Sequence, residues 1–186
     1  MAGLHYPQES IISPALFSPG YRIRSALPGD AMAILKIMDT SANQLKDKSL
    51  FIPDDLSLIK EILTANGFGL LALDYTDKPA AYLLVLFPRL GAENLGYDLT
   101  LNEEQLQKVA HIESVAVLPT HRGRQLQRSL ITRAEQLLNA SHPYHMATVS
   151  PLNSASLKSF QHCGYRIVAT KEKYGGYRRH ILMKYI

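Results

Sequence analysis

The chain has 186 residues, of which 46% are hydrophobic and 19% charged, and its formal net charge is +4. This length suits one folded domain, and the ordinary composition excludes a disordered or low-complexity chain. The longest apolar run, Ala80–Pro88, is far too short to span a bilayer, and the N-terminus lacks a secretory signal, so no membrane contact is expected. The single cysteine, Cys163, excludes an internal disulfide and predicts a reducing, cytoplasmic location.

Residues 1–20 carry three prolines without a hydrophobic period, and they predict an irregular arm before a single domain over residues 21–186. That domain opens with an alternating strand over 21–27, after which Asp30 is placed to cap a first helix. A second helix begins near Asp54 and ends at Gly67. The later elements are predicted in this order: strands 68–75 and 80–87 joined by a hairpin turn, a polar insertion 91–108 with at most a short helix, strand 109–118, a helix from 126, strand 145–149, helix 154–163 stopped by Gly164, and the antiparallel strands 165–171 and 179–185.

This alternation of strands and helices predicts an α/β (mixed α+β) fold in which helices cover the faces of a mixed sheet. Within that order, the segment Val117–Leu130 stands out because a strand ends in a basic turn and a helix follows at once. Free backbone N–H groups and the helix dipole make such a junction an anion site, and phosphate is its commonest ligand. The alternative is a solvated connection whose arginines face water.

Two segments carry a recognisable pattern. Val115–Pro119 followed by Arg122–Gln127 is a hydrophobic strand that leads into a glycine-containing turn and a helix, and the segment from Asn153 to Tyr165 is a helix that begins at an asparagine and ends in Gly-Tyr. The first resembles motif A, the phosphate loop, and the second motif B of the GNAT superfamily of acyl-CoA N-acyltransferases. The resemblance implies a mixed, mostly antiparallel sheet of six to seven strands with about four helices.

The resemblance also implies acetyl-CoA as cosubstrate, held where the strand at Val115 parts from the strand at Met146. It implies no metal, and the acetyl group passes to an amine by direct attack in a ternary complex. The positions that it assigns to cofactor binding are Val115, Ala116, Val117, Arg122, Gly123, Arg124, Gln125, Leu126, Gln127, Arg128, Asn153, Ser156 and Lys158.

Three residues depart from the family pattern. Gln125 and Gln127 stand where the family has glycines, and both are expected in the first turn of the helix, where ordinary helical angles require no glycine. Phe160 replaces the motif B tyrosine that protonates the departing thiolate, and water or Tyr174 is the expected substitute. Cys163 is expected to be a core residue rather than an acyl-carrying nucleophile.

The strand Val109–Val117 supplies the candidate bases. Strand alternation places His111, Glu113, Val115 and Val117 on one face, just upstream of the expected thioester. An amine must lose its proton before it attacks a thioester, so at least one of His111 and Glu113 is predicted to act as general base.

The acceptor stays open between a small amine, an amino acid, a peptide N-terminus and an antibiotic. Asp54 and Asp55 are candidates to attract a cationic amine, although a solvated acidic segment explains them equally well. A catalytically silent acyl-CoA-binding domain is the alternative function. Nucleic-acid binding is not expected, because the basic strands lack interleaved aromatic residues, and a homodimer through the C-terminal strands stays open.

Overall fold

Seven strands form one sheet in the computed structural model, which describes residues 19–138 and 141–186. The predicted N-terminal arm, residues 1–20, lies outside the described residues apart from positions 19 and 20. The strands are β1 (Arg22–Ala26), β2 (Gly67–Leu73), β3 (Pro79–Leu86), β4 (Val109–Val117), β5 (Tyr144–Val149), β6 (Arg166–Lys173) and β7 (Tyr177–Tyr185). They lie in the order β1-β2-β3-β4-β5-β7-β6, and only β4 and β5 run parallel. The predicted mixed, mostly antiparallel sheet is confirmed.

Helices cover both faces of this sheet. They are α1 (Ala31–Asn43), α2 (Leu56–Glu61), which continues as a π-helical turn (Ile62–Asn66), α3 (Glu103–Leu106), α4 (Leu126–Leu138) and α5 (Ser154–His162). Ile34 of α1 and Ile59 of α2 pack on one face, whereas Leu130 of α4 and Phe160 of α5 pack on the other. Within the described chain, no helix has both the length and the apolar character needed to cross a membrane.

Asp30 precedes α1 as predicted, but its side chain does not cap that helix. Its carboxylate instead accepts two hydrogen bonds from the guanidinium of Arg24 on β1, at 2.7 and 2.8 Å, and a third from the backbone N–H of Leu27. The bidentate ion pair satisfies both carboxylate oxygens more strongly than one helix N–H would. Asp30 therefore fastens β1 to the start of α1.

The second helix ends at Gly67 as predicted, and the same residue has a further role in the sheet. Its φ of 173° is extended, and it is the first residue of β2. A Cβ atom at this position would lie 1.8 Å from the carbonyl oxygen of Val85 on β3. The glycine is needed because the backbones of β2 and β3 approach too closely for any side chain.

The polar insertion 91–108 contains a 3-10 turn (Leu95–Leu99) and the single-turn helix α3. Buried Asn94 holds it together by donating to the carbonyl of Leu106 and accepting from the N–H of Gly96. Asp98 ties the insertion to β6 through ion pairs with Lys171 and Lys173. The insertion therefore packs as an ordered layer beside β4 and β5.

A β-bulge at Glu113 divides β4 into two halves. Ile112 pairs with Val85 and Ser114 pairs with Leu84, so Glu113 is the extra residue between them. A bulge bends its strand and changes the alternation of the side chains. The pairing of β4 with β5 reaches only to His111 opposite Met146, and beyond it the two parallel strands separate.

Candidate active site

A cavity of about 450 Å³ occupies the gap where β4 and β5 separate. One end lies at the start of α4, and the other is bounded by α1, the segment before α2 and the turn between β6 and β7. Of the residues assigned to cofactor binding, those that line the cavity are Val115, Ala116, Val117, Arg122, Gly123, Leu126, Gln127, Asn153 and Ser156. Arg124, Gln125, Arg128 and Lys158 lie outside its lining.

The turn before α4 has an unusual backbone. Gly123 has a φ of +76° and Gln125 a φ of +58°, and α4 begins only at Leu126. The prediction that Gln125 has ordinary helical angles is therefore wrong, because its backbone is left-handed, a conformation that favours glycine. Gln125 is exposed and does not line the cavity. The turn thus keeps the shape of a glycine loop at some cost in strain.

Gln127 lies within α4, as predicted, and needs no glycine. Its side-chain amide donates a hydrogen bond to the hydroxyl of Ser156 on α5, at 3.0 Å. Ser156 is itself in the first turn of α5, where its N–H donates to the side chain of Asn153, the N-cap. Gln127 therefore joins the N-terminal ends of the two helices that border the cavity.

The basic residues near the turn have different environments. Arg122 lines the cavity, whereas Arg124 donates to the hydroxyl of Tyr21 and stacks against that ring, with its guanidinium carbon 5.8 Å from the ring centroid. Tyr21 also bonds His121, at 2.8 Å. Lys158 is exposed on α5. Only part of the predicted cationic cluster therefore faces the cavity.

The second half of β4 exposes a free backbone edge toward the cavity. The N–H of Leu118 donates to Ala80 on β3, so Leu118 and Ala116 turn their backbone groups toward β3. Successive residues of a strand point these groups in opposite directions. The backbone groups of Val115 and Val117 therefore point toward the separated side, where the carbonyl of Val117 accepts a bond from the hydroxyl of Ser41.

The bulge corrects the predicted face of β4. Val115 and Val117 pack with Ala110 and Ile112 on the α4 side of the sheet, not with His111 and Glu113. His111 and Glu113 do approach each other, with 3.6 Å between the Nδ1 of His111 and the Oε2 of Glu113. Strand alternation failed here because the bulge adds one residue and exchanges the two faces.

His111 is held in one tautomer. It is almost fully buried, and its Nε2 accepts a hydrogen bond of 3.1 Å from the backbone N–H of Leu95. A nitrogen that accepts from an N–H carries no proton, so in the neutral ring the proton sits on Nδ1, which faces Glu113. Glu113 lines the cavity, whereas His111 does not.

The sequence did not distinguish the position of Asp54 from that of its neighbour Asp55. Asp54 lines the cavity, whereas Asp55 is exposed and caps α2 by accepting from the N–H of Leu58. Burial, together with the nearby charge of Glu113, raises the pKa of Asp54 to about 6. Its Oδ2 and the neighbouring Ser114 Oγ are buried without a hydrogen-bond partner in the described residues.

Tyr174, the proposed substitute for the motif B tyrosine, reaches the cavity from the β6–β7 turn. Its hydroxyl and the Oγ1 of Thr148 on β5 are hydrogen-bonded at 2.9 Å. Although Tyr174 as a residue is half exposed, the pKa of its hydroxyl is raised, first by burial and then by the charges of Glu113 and Asp54. Phe160 also lines the cavity, but its ring is buried against Tyr165.

Cys163 is half-buried, and burial raises the pKa of its thiol. A thiol of that kind is a poor nucleophile, and Cys163 does not line the cavity. Among the described residues, no group of three or more His, Cys, Asp or Glu side chains is arranged to hold a metal ion.

The fold and the cavity define an open sheet whose central parallel strands part beside a helix N-terminus. Residues 36–165 match the model of the acetyltransferase (GNAT) family, and the chain belongs to this family. It is accordingly an acyltransferase. No curated protein sequence is significantly similar to the chain.

Solved structures share the fold at low sequence identity. Arabidopsis thaliana NAA60 in complex with acetyl-CoA superposes with a TM-score of 0.71 and 11% identity, covering 89% of this chain and 98% of that one. A GCN5-related N-acetyltransferase from Kribbella flavida has a TM-score of 0.65 and 20% identity, with coverages of 94% and 100%. The yncA protein of Salmonella typhimurium, solved with acetyl-CoA, has a TM-score of 0.61 and 17% identity, with coverages of 88% and 92%.

Proposed function

We propose that the chain transfers an acetyl group from acetyl-CoA to a primary amine by direct attack in a ternary complex. One observation carries this proposal: a single cavity extends from the N-terminus of α4 to the carboxylates of Glu113 and Asp54. An anion site and a proton-accepting site are thus joined along the separated strands. The domain that performs the reaction is proposed to span residues 21–186, in the cytoplasm.

The residues along the cavity fit the parts of acetyl-CoA, which supplies the acetyl group as an activated thioester. Backbone N–H groups from Arg122 to Gln127 would hold the pyrophosphate at the helix dipole. The backbone edge at Val115 and Val117, which pairs with no neighbouring strand, would bond the amides of the pantetheine arm, and Asn153 has side-chain N–H donors left for the same arm. The acetyl-CoA bound to the Arabidopsis and Salmonella structures supports this assignment.

Glu113 and Asp54 are proposed to bind the ammonium form of the acceptor and to take its proton. The charge of Glu113 disfavours the ionisation of Asp54, and a bound cation relieves that repulsion. The neutral amine then attacks the thioester carbonyl, and the C–N bond forms as the C–S bond breaks. With its Nε2 occupied by Leu95, His111 is proposed to orient Glu113 rather than to act as the base.

The departing thiolate is proposed to take its proton from Tyr174. The raised pKa of Tyr174 keeps the hydroxyl protonated at neutral pH. Its bond with Thr148 fixes the ring beside the cavity, so the hydroxyl takes the role that Phe160 cannot perform. A proton donor and a proton acceptor in one cavity favour a working enzyme over a silent binding domain.

Thermal unfolding with acetyl-CoA, followed by a screen of amines for thiol release, tests this function. A ligand at about a hundred times its Kd stabilises the fold by roughly 2.7 kcal/mol, which raises Tm by about 5–10 °C for a domain of this size. Adenosine, which lacks the pantetheine arm, is the control. No rise in Tm with millimolar acetyl-CoA, or no amine-dependent thiol release, would overturn the proposal.

A further inference from the structure

Arg179 of β7 is a buried cation beside the end of the cavity where the acceptor is expected. The residue is 3% exposed, yet it lines the cavity together with Phe51 and Tyr174. Among residues 19–138 and 141–186, no carboxylate lies within ion-pair distance of its guanidinium. Asp47 acts on it only through a longer-range charge interaction.

The contacts of Arg179 hold it in place without neutralising it. Its Nη2 donates to the carbonyl of Ser49, at 2.7 Å, and its Nη1 donates to the carbonyl of Arg178, at 3.1 Å. The guanidinium carbon lies 5.7 Å from the ring centroid of Tyr174 and 5.4 Å from that of Tyr177. These bonds use a minority of the guanidinium N–H donors, and the others have no protein acceptor among the described residues.

A buried cation destabilises the fold unless an anion pairs with it. Burial lowers the pKa of Arg179, but an arginine stays protonated at neutral pH, so a positive charge remains buried beside the cavity. Backbone carbonyls and aromatic faces offset only part of the lost hydration. A planar carboxylate that accepts two parallel N–H bonds is the partner whose geometry suits a guanidinium best.

Carboxylates line the same cavity as Arg179. Glu113 and Asp54 border it, and the charges of both carboxylates and of Arg179 act on the hydroxyl of Tyr174, which lines the cavity as well. We propose that the acceptor carries a carboxylate beside its amine, as an amino acid does, and that Arg179 binds that carboxylate while Glu113 and Asp54 receive the amine. This inference rests on the proposed acetyl transfer and names its substrate class.

The first test compares matched acceptors with the unaltered protein. Phenylalanine is paired with phenethylamine and leucine with isopentylamine, so that each pair differs by the carboxylate, and kcat/KM is measured for acetyl transfer. Across the pairs we expect the amino acid to be preferred by about 10- to 100-fold, the range for a hydrogen-bonded pair with a charged group. Equal or reversed preference in every pair that is turned over would overturn the inference and leave the acetyltransferase proposal standing.

The second test asks whether Arg179 carries this preference. Arg179→Met keeps the length of the side chain without its charge, and Arg178→Met is the control because Arg178 is an exposed neighbour on the same strand. We expect Arg179→Met to raise KM for the amino acid about 10- to 100-fold and to leave KM for the paired amine unchanged. Arg178→Met should change neither value.

The same variants separate recognition from a purely structural role. If Arg179 only anchors the segment at Ser49, its loss will weaken both members of each acceptor pair equally, and the inference is wrong. A readout independent of turnover is the further rise in Tm that an N-acetyl amino acid product gives above the rise with CoA alone, and Arg179→Met should abolish this further rise while leaving the rise with CoA unchanged. If no amine of either kind is acetylated, the proposed function fails first, and this inference falls with it.

Discussion

Replacing Asp54 by asparagine should make the protein more stable and less active. The buried carboxyl has a pKa of about 6, against an ordinary value of 3.8. Each pH unit between those values is worth about 1.4 kcal/mol, so ionised Asp54 costs the folded state about 3 kcal/mol. Because its pKa is raised on folding, this cost is absent below pH 3.8, grows as the pH rises and is complete above pH 6.

The gain from Asp54→Asn should therefore depend on pH. We expect the free energy of unfolding to rise by about 2–3 kcal/mol at pH 8, equivalent to roughly 5–10 °C in Tm. At pH 4.5 the gain should fall to about 1 kcal/mol. Urea unfolding followed by circular dichroism at both pH values measures the difference.

Asp55→Asn is the matched control, since Asp55 is exposed and asparagine caps a helix about as well as aspartate. It should leave stability nearly unchanged at both pH values. Acetyl transfer by Asp54→Asn should fall, because a group that strains the fold is retained where it serves the reaction. A loss of stability at pH 8, or an equal gain at both pH values, would refute the assignment of Asp54 as a strained carboxylate.

Three further predictions concern the bases, the acid and the turn. Glu113→Gln should lower kcat by about 10²- to 10⁴-fold. It should also move the acidic limb of the pH–rate profile to lower pH, because Glu113 helps to raise the pKa of Asp54. A kcat equal to that of the wild type would contradict the role of Glu113 as base. Tyr174→Phe should lower kcat by about tenfold or more without changing KM for acetyl-CoA, and steady-state kinetics measures both values. A change confined to KM would argue against Tyr174 as the proton donor. Gln125→Gly should raise the free energy of unfolding by up to about 1 kcal/mol, because it relieves a φ of +58°. Gln127→Gly, inside the helix, should lower the free energy of unfolding by about 1 kcal/mol. Urea unfolding measures both changes, and changes of the same sign would refute the assignment of Gln125 to a strained turn and Gln127 to the helix.

The sequence by itself determined the order of the elements and the family. Hydrophobic periodicity depends only on neighbours along the chain, so the strands and helices could be predicted, with small shifts at their ends. The junction Val117–Leu130 was also predictable as an anion site, because a strand, a turn and a helix in succession always expose N–H groups there. The roles of His111, Glu113 and Tyr174 stay predictions until they are tested.

Only the tertiary structure decided how the site is assembled. The bulge at Glu113 exchanges the two faces of β4. The sequence of this strand does not predict the bulge, because a bulge arises from the pairing with β3. Asp54 and Asp55 are adjacent and chemically identical, yet Asp54 is half-buried and lines the cavity, whereas Asp55 is exposed and caps a helix. The sequence alone does not distinguish Arg179 from its exposed neighbour Arg178, and only the folded chain buries Arg179 and bonds it to the carbonyl of Ser49. Burial and long-range contact set the charge and the reactivity of these groups, and neither property is local to the chain.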